Sequence, residues 1–160
     1  MAFCARVFHA WRGVLRQAQV CRRLHRYLPV PNRKPIVVVI DDDALFVEFI
    51  ASIIEGEYCR AIVATDGLTG LLLARECRAA LILCDYSMPG FDGGQVLQAL
   101  HEDPKMASVP RVLMSGQGCP DLRSVPADAF IAKPINTQSL RRLVRAFTRS
   151  PHVPADKVRH

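Results

Sequence analysis

The sequence predicts an α/β fold in which helices cover both faces of a five-stranded parallel sheet. From residue 36 onwards, short apolar runs alternate with longer amphipathic segments. The clearest apolar runs lack the polar alternation of a half-exposed strand, which is typical of parallel strands buried on both faces. Polar residues directly follow most of these runs. Strands alternating with helices indicate a doubly wound sheet, in which ligands bind beyond the carboxyl ends of the strands.

The predicted strands and helices can be placed along the chain from their apolar positions. The strands are residues 36–40, 59–64, 80–84, 111–114 and 128–132. The helices are residues 43–55, 66–77, 93–101 and 137–148. The N-cap candidates are Asp43, Asp92 and either Asp66 or Thr65. The first helix is predicted to carry one broad apolar stripe, made of Leu45, Phe49, Ile50, Ile53 and Ile54.

The chain divides into segments of different charge. Residues 29–35 contain three prolines and are predicted to be a linker, because each proline disfavours helix at the residue before it. Residues 1–34 carry eight Arg or Lys and no acid, whereas residues 35–140 carry seven Arg or Lys against fourteen acids. The overall charge of +6 is therefore no guide to nucleic-acid binding by the domain. We expect a basic extension (1–34), a domain (35–149) and a disordered tail (150–160).

The N-terminal extension has the pattern of a basic amphipathic helix, although disorder is the alternative. Such a helix could lie on an anionic membrane surface, or bind a partner protein or RNA. A mobile extension, or translation begun upstream of the domain's own start, accounts for the same residues. The apolar side of the wheel holds Phe3, Val7, Trp11, Val14, Ala18, Cys21 and Leu28, and the basic side holds Arg12, Arg16, Arg23 and Arg26, while Arg22 breaks the pattern.

The cysteines and the N-terminus bear on where the protein works. The six cysteines are scattered, with no C-x-x-C pair and no Cys/His metal spacing. Reduced, partly buried thiols in a cytoplasmic protein are therefore the expectation. The N-terminus lacks an apolar stretch followed by a small-residue cleavage site, which argues against secretion. No apolar run is long enough to cross a bilayer.

Polar side chains gather where four of the predicted strands end. Three consecutive aspartates beginning at Asp41 follow the first strand, Asp85 follows the third, Ser115 the fourth and Lys133 the fifth. Because the carboxyl ends of parallel strands share one rim, we expect these acids, the hydroxyl and the lysine to converge. For the three aspartates alone, the competing interpretation is a solvated helix N-terminus favoured by the helix dipole.

A cluster of carboxylates of this kind needs a counter-charge. Two carboxylates about 4 Å apart repel by roughly 4 kcal/mol at an effective dielectric constant near 20. The cluster therefore requires a cation or raised pKa values, and one lysine offsets only part of the repulsion. An incomplete set of oxygen ligands suits Mg²⁺, which keeps bound waters and accepts a phosphate oxygen. A carboxylate beside that metal is a plausible nucleophile toward a phosphoryl group.

Four segments, each at a predicted strand end, carry a family resemblance. They are VVVIDDDAL at 37–45, LILCDYSMPGFDG at 81–93, VLMSG at 112–116 and DAFIAKPI at 128–135. In this order and spacing they resemble the response regulator receiver domain, the CheY-like fold. The resemblance covers about residues 36–149 and implies a receiver of the single-domain type, with a flavodoxin-like sheet.

The resemblance implies a role for each member of the acidic cluster. Asp85 stands at the position of the phospho-acceptor. Asp42 stands where the family has a direct Mg²⁺ ligand, Asp41 where an acid holds metal-bound water, and Ser87 where a backbone carbonyl completes the site. Lys133 stands where a lysine pairs first with the acceptor carboxylate and then with the phosphoryl oxygens.

The resemblance also implies a switch apparatus next to the acceptor. Ser115 matches the hydroxyl that moves to bind the phosphoryl group, and Phe130 the switch aromatic. The Lys133–Pro134 bond matches a cis peptide. From its position two residues after Ser115, we add Gln117 as a candidate that orients a hydrolytic water. The competing interpretations are a turn residue for Ser115, a core residue for Phe130 and a solvated loop residue for Gln117.

One region departs from the family pattern. The family places a full fourth helix between the fourth and fifth strands, where this chain has residues 116–127 with Pro120 and Pro126. A proline inside a helix costs about 3 kcal/mol, so we expect this helix to be shortened or missing. In the family, the face next to that helix transmits the switch and often dimerises. We therefore expect the usual dimer to be affected.

The resemblance implies a phospho-accepting switch in two-component or phosphorelay signalling. Its phosphodonor would be a histidine kinase or a histidine phosphotransfer protein, and its downstream partner is not indicated. About ten residues follow the last predicted helix, too few for a DNA-binding or enzymatic output domain. The alternative is an interaction module that has kept the fold without being phosphorylated. A metal-dependent phosphatase with an aspartate nucleophile is a weaker alternative, because no substrate-specificity insert is present.

Overall fold

Five parallel strands form the sheet in a computed structural model that describes residues 34–116 and 125–149. The strands are β1 (Ile36–Ile40), β2 (Arg60–Ala64), β3 (Leu81–Asp85), β4 (Arg111–Ser115) and β5 (Ala129–Ala132). The helices are α1 (Ala44–Glu55), α2 (Gly67–Cys77), α3 (Gly93–His101) and α4 (Thr137–Arg149). The strand order is β2-β1-β3-β4-β5. The doubly wound parallel sheet is confirmed, and the predicted ends of its strands and helices differ from the observed ends by no more than one residue.

Alternate residues of the central strands face opposite helical layers. On β1, Val37 and Val39 pack in a core with α1 and α4, whereas Val38 and Ile40 pack in a second core with α2 and α3. β1 and β3 are buried along their whole length. These two strands, whose ends carry the candidate acids, are therefore held by apolar packing on both faces.

Three aspartates begin the helices that follow the sheet's carboxyl rim. Asp43 accepts hydrogen bonds from the N–H groups of Leu45 and Phe46 and caps α1. Asp66, rather than Thr65, caps α2. Asp92 caps α3 in a reciprocal capping box with Gln95. These caps fix where each helix starts beside the rim.

The apolar stripe predicted for α1 is wrong at two positions. Leu45 is 83% exposed and Phe49 is 49% exposed. The buried side of α1 is formed instead by Val47, Ile50, Ile53 and Ile54. At 3.6 residues per turn, Leu45 lies about 140° around the helix from Ile50, so the sheet cannot cover both residues.

Several predictions concern residues that the structure does not describe. The shortened or missing helix at 116–127 lies mostly within residues 117–124, outside the described part of the chain, and stays a prediction. The same holds for the extension, apart from Lys34, and for the tail 150–160. Within residues 34–116 and 125–149, no helix is long and apolar enough to span a membrane.

Candidate functional site

The strand register brings the candidate residues to one rim of the sheet. Ile40 and Cys84 are register partners in β1 and β3, so Asp41 and Asp85 follow side by side. Ser115 is the last residue of β4, next to β3. Lys133 directly follows β5, and its N–H donates to the Ser115 carbonyl over 2.8 Å. Four strand ends thus supply one cluster.

Asp85 is buried, with both carboxylate oxygens occupied. Its Oδ2 accepts a hydrogen bond of 2.8 Å from the Ser87 N–H. Its Oδ1 lies 2.6 Å from Lys133 Nζ. A backbone donor and an ammonium group therefore hold this carboxylate in one orientation at the edge of the rim.

Lys133 crosses from the sheet edge to bridge two acids. Its Nζ lies 2.6 Å from Asp41 Oδ2 as well as 2.6 Å from Asp85 Oδ1. The ammonium also stands over the Phe46 ring, 4.3 Å from the ring centroid. Burial acts to lower the pKa of Lys133, but the hydrogen bonds to the two aspartates outweigh it and the pKa is raised. The lysine is thus held in its charged form.

Asp41 and Asp42 are neighbours in sequence with different surroundings. Asp41 is buried, and its Oδ1 accepts from the Asp43 N–H over 3.1 Å. Burial raises the pKa of Asp41 despite the opposing hydrogen bond from Lys133. Asp42 is exposed to solvent. The pair therefore offers one inner and one outer carboxylate to the same site.

Three carboxylates can hold a metal ion here. Asp41, Asp42 and Asp85 each offer an oxygen, and these oxygens lie within 4.8 Å of one another. Against one lysine, three ionised carboxylates leave an excess of two negative charges. An all-oxygen donor set with this excess fits a hard divalent cation. The Ser87 side chain is exposed, and its backbone N–H contributes the hydrogen bond to Asp85.

The predicted switch residues Ser115 and Phe130 lie on β4 and β5. Ser115 is buried at the end of β4. Phe130 is partly buried and packs against the core on the α2 and α3 side of the sheet. The Lys133–Pro134 peptide bond is cis. Gln117 lies outside the described residues, so its position relative to Asp85 stays a prediction.

Two contacts of the site were not predicted from the sequence. A Cβ atom at Gly93 would stand 2.0 Å from the Asp85 carbonyl oxygen, so only glycine lets α3 approach the end of β3 this closely. A glycine that opens a helix directly after the loop following Asp85 could have indicated this close approach. The Phe46 contact with Lys133 has no such signal, because it depends on how α1 packs beside the rim.

A second charged cluster, also not predicted, lies at the amino end of the sheet. Glu57 is buried in the turn between α1 and β2. Its carboxylate accepts hydrogen bonds from Arg141 and Arg145 of α4. These hydrogen bonds lower the pKa of Glu57 to about 2. Here two cations surround one acid, the reverse of the balance at the carboxyl rim.

Known proteins resemble this chain across the described domain. The family model that matches residues 37–145 is the response regulator receiver domain. The chain is 34% identical over 118 residues to response regulator PleD of Caulobacter vibrioides, covering 71% of this chain and 26% of PleD. It is 32% identical over 127 residues to the DNA-binding response regulator MtrA of Mycobacterium tuberculosis, covering 75% of this chain and 54% of MtrA. The chain thus spans about a quarter and about half of these relatives.

A solved structure shares the fold at low identity. It is the receiver domain of sensor histidine kinase PA1611 from Pseudomonas aeruginosa PAO1, with a magnesium ion coordinated in its active site cleft. The likeness has a TM-score of 0.67 at 18% sequence identity, and it covers 74% of this chain and 100% of that chain.

Proposed function

Because this chain belongs to the response regulator receiver domain family, we propose that it accepts a phosphoryl group on Asp85 in two-component or phosphorelay signalling. The donor would be the phosphohistidine of a histidine kinase or of a histidine phosphotransfer protein. A carboxylate oxygen of Asp85 attacks phosphorus, the bond from phosphorus to the donor imidazole breaks, and an acyl phosphate forms. The observation that carries this proposal is the position of Lys133 Nζ, 2.6 Å from the buried Asp85 carboxylate.

The charge balance of the pocket supports a Mg²⁺-dependent reaction. Asp41, Asp42 and Asp85, with the Ser87 carbonyl, would hold the ion, which supplies charge neutralisation for the phosphoryl oxygens when bound. Lys133 lies between two carboxylates, and its ammonium would also be available to the phosphoryl oxygens. A phosphoryl group would thus meet preorganised positive charge, which is the main source of catalysis in phosphoryl transfer.

We assign the response to phosphorylation to Ser115 and Phe130. Ser115 ends the strand beside Asp85, where its hydroxyl could turn toward a phosphoryl oxygen. Phe130 is only partly buried, so it has room to change its packing in step with Ser115. Gln117 is proposed to orient the water that hydrolyses the acyl phosphate. If Gln117→Ala leaves the lifetime of the phosphorylated protein unchanged, this last assignment is wrong.

The proposed role is that of a switch more than of a turnover enzyme. Its only chemistry would be its own phosphorylation and the slow hydrolysis of the acyl phosphate. The phosphorylated domain would alter a downstream protein, or pass or store the phosphoryl group in a relay. We propose the cytoplasm as its location, where a kinase and reduced thiols such as the buried Cys59, Cys77 and Cys84 are expected.

A phosphorylation assay on the full chain tests this function. We expect acetyl phosphate with Mg²⁺ to add one phosphoryl group to the intact mass, and chelation of Mg²⁺ to prevent it. Asp85→Asn should remain unmodified. Asp66→Asn is the matched control, because asparagine is an equally good N-cap and Asp66 lies outside the acidic cluster.

The assay also separates the alternative function. A wild-type chain that gains no phosphoryl group under these conditions would contradict the proposal and favour an interaction module that is not phosphorylated. Equal modification of the wild type and Asp85→Asn would likewise place the chemistry elsewhere.

A further inference from the structure

Among the described residues, the outward face of α1 is exposed and has a mixed apolar and acidic character. Its exposed residues recur at helical spacing, so they form one continuous stripe. Leu45 is 83% exposed and Phe49 is 49% exposed. We call this surface the α1 outer stripe, made of Leu45, Glu48, Phe49, Ser52 and Glu55.

The α1 outer stripe has a marked charge. α1 contains two acids, Glu48 and Glu55, and no basic residue. The exposed Asp42 and Asp43 extend the negative surface to the rim above it. At the other end of α1, the arginines Arg141 and Arg145 face Glu57 and are bonded to it. Three of the exposed acids, Asp42, Asp43 and Glu48, therefore lie beside the first two turns of the helix, and Glu55 lies in its last turn.

The sequence contains a segment with the complementary character. Residues 1–33 hold seven Arg or Lys and no acid, with apolar residues on the other side of a helical wheel. A basic amphipathic segment buries apolar side chains while its cations stay near anionic groups. The α1 outer stripe offers an apolar surface and an anionic group side by side, because Leu45 and Phe49 alternate with Glu48.

The attachment point of this segment lies at the end of α1. The described chain begins at Lys34, whose Nζ stands 5.5 Å from the centroid of the Tyr58 ring. Tyr58 is three residues beyond the last residue of α1, Glu55. α1 is about 18 Å long at 1.5 Å per residue. Even as a helix at that rise, 33 residues would span more than this length.

We propose that residues 1–33 dock on the α1 outer stripe of their own chain. The apolar side of the segment covers Leu45 and Phe49, and its arginines lie near Glu48, Asp42 and Asp43. Since α1 begins two residues after Asp42, the docked segment flanks the acidic rim.

Trp11, the single tryptophan of the chain, reports directly on this docking. In the full-length protein we expect its fluorescence to be blue-shifted and protected from acrylamide, because Trp11 lies on the apolar side of the segment. Leu45→Ser and Phe49→Ser should each shift the emission to the red and increase quenching. Leu68→Ser should leave both unchanged, since Leu68 is 56% exposed on α2, which packs on the opposite side of the sheet.

The charged part of the proposal has its own matched pair. Glu48→Lys should expose Trp11, whereas Glu102→Lys, an exposed acid after α3, should not. Unfolding midpoints measured on all five variants keep a failure to fold separate from a loss of docking. No phosphorylation is needed for these readouts, so they test docking independently of the proposed function.

Three results would overturn the docking. One is a Trp11 emission typical of water in the wild type. Another is an emission that changes on dilution, which would mean that a second copy supplies the contact. The third is a blue shift that requires anionic phosphatidylglycerol vesicles or RNA, which would assign the segment to a membrane or to nucleic acid instead.

Discussion

The two ends of the sheet both carry charged clusters, but with opposite balance. At the carboxyl end, Asp41, Asp42 and Asp85 share one lysine, Lys133. At the amino end, a single buried carboxylate, Glu57, is shared by two arginines. The pKa values of the two clusters also move in opposite directions: burial raises that of Asp41, and the arginines lower that of Glu57 to about 2.

This difference distinguishes a candidate functional site from a structural ion-pair cluster. The carboxyl-end cluster has unmet negative charge, so it gains from the binding of a cation. In the amino-end cluster, the two arginines neutralise Glu57, and their hydrogen bonds connect the α1–β2 turn to α4. A cluster that lacks a partner is poised for chemistry, and one that is complete stabilises the fold.

The largest difference between the two ends should appear when a cation is removed. Lys133→Met takes the ammonium away from the Asp85 carboxylate, and we expect phosphorylation by acetyl phosphate to slow by about 100-fold or more. Arg141→Met removes a cation from Glu57 and should leave the rate at that of the wild type. Rates are read from intact mass against time. Equal slowing in both variants would contradict the distinction between the ends.

Polar contacts at the amino end of the sheet should instead contribute to stability. The buried Arg111 allows this to be tested. Arg111 is buried; its Nε donates to the Pro126 carbonyl over 2.9 Å, and its Nη1 lies 3.5 Å from the carbonyl oxygen of the buried Met106. Each buried acceptor left without a donor costs about 1–3 kcal/mol. We therefore expect Arg111→Met to lower the free energy of unfolding by about 3 kcal/mol, measured in urea.

The same variant must also keep its chemistry. When it is folded, Arg111→Met should be phosphorylated at the wild-type rate, because Arg111 lies at the amino end of β4. A slowed reaction in a folded Arg111→Met protein would show that the two ends of the sheet are coupled.

Mg²⁺ should bind at the carboxyl end of the sheet and not at the amino end. Mg²⁺ that binds only the folded state stabilises it by about 2.7 kcal/mol at a free concentration 100-fold above its Kd. Asp42→Asn should lose most of this gain without disturbing the core, because Asp42 is exposed. Glu57→Gln should keep the gain in full. Unfolding midpoints with and without Mg²⁺ provide the measurement, and an equal gain in all three proteins would remove the metal from this site.

The fold could be predicted closely because the local sequence patterns agree with the overall topology. Apolar runs marked the buried strands, and aspartates marked the helix starts. The site could be predicted in its membership, since the carboxyl ends of parallel strands must meet. The sequence did not indicate that Asp41 is buried and Asp42 exposed, which is decided by the direction in which the chain leaves β1.

The features that could not be predicted depend on contacts between residues that are distant in sequence. Glu57 is 84 residues from Arg141 and 88 from Arg145. No local pattern links residues so far apart. The exposure of Leu45 and Phe49 was missed for a related reason. Apolar residues run around more of α1 than one sheet face can cover, and only the packing decides which of them are left outside.

The smallest expected effect is the pH dependence of the amino-end cluster, since both arginines are partly exposed and solvent screens them. The pKa of Glu57 is lowered from 4.5 to about 2, so its contribution to stability is fully present above pH 4.5 and lost as the pH falls toward 2. Glu57→Gln cannot lose it. The stability difference between the wild type and this variant, from urea unfolding, should therefore shrink across this range.

The contribution of Asp41 to stability should depend on pH with the opposite sign to that of Glu57. Its raised pKa means that the folded state favours the protonated carboxyl. The fold therefore gains stability from Asp41 as the pH falls through the raised pKa toward the ordinary value of 3.8. Relative to Asp41→Asn, the wild type should thus become more stable on acidification, whereas relative to Glu57→Gln it should become less stable. Two difference curves of the same sign would contradict the opposite pKa shifts of Asp41 and Glu57.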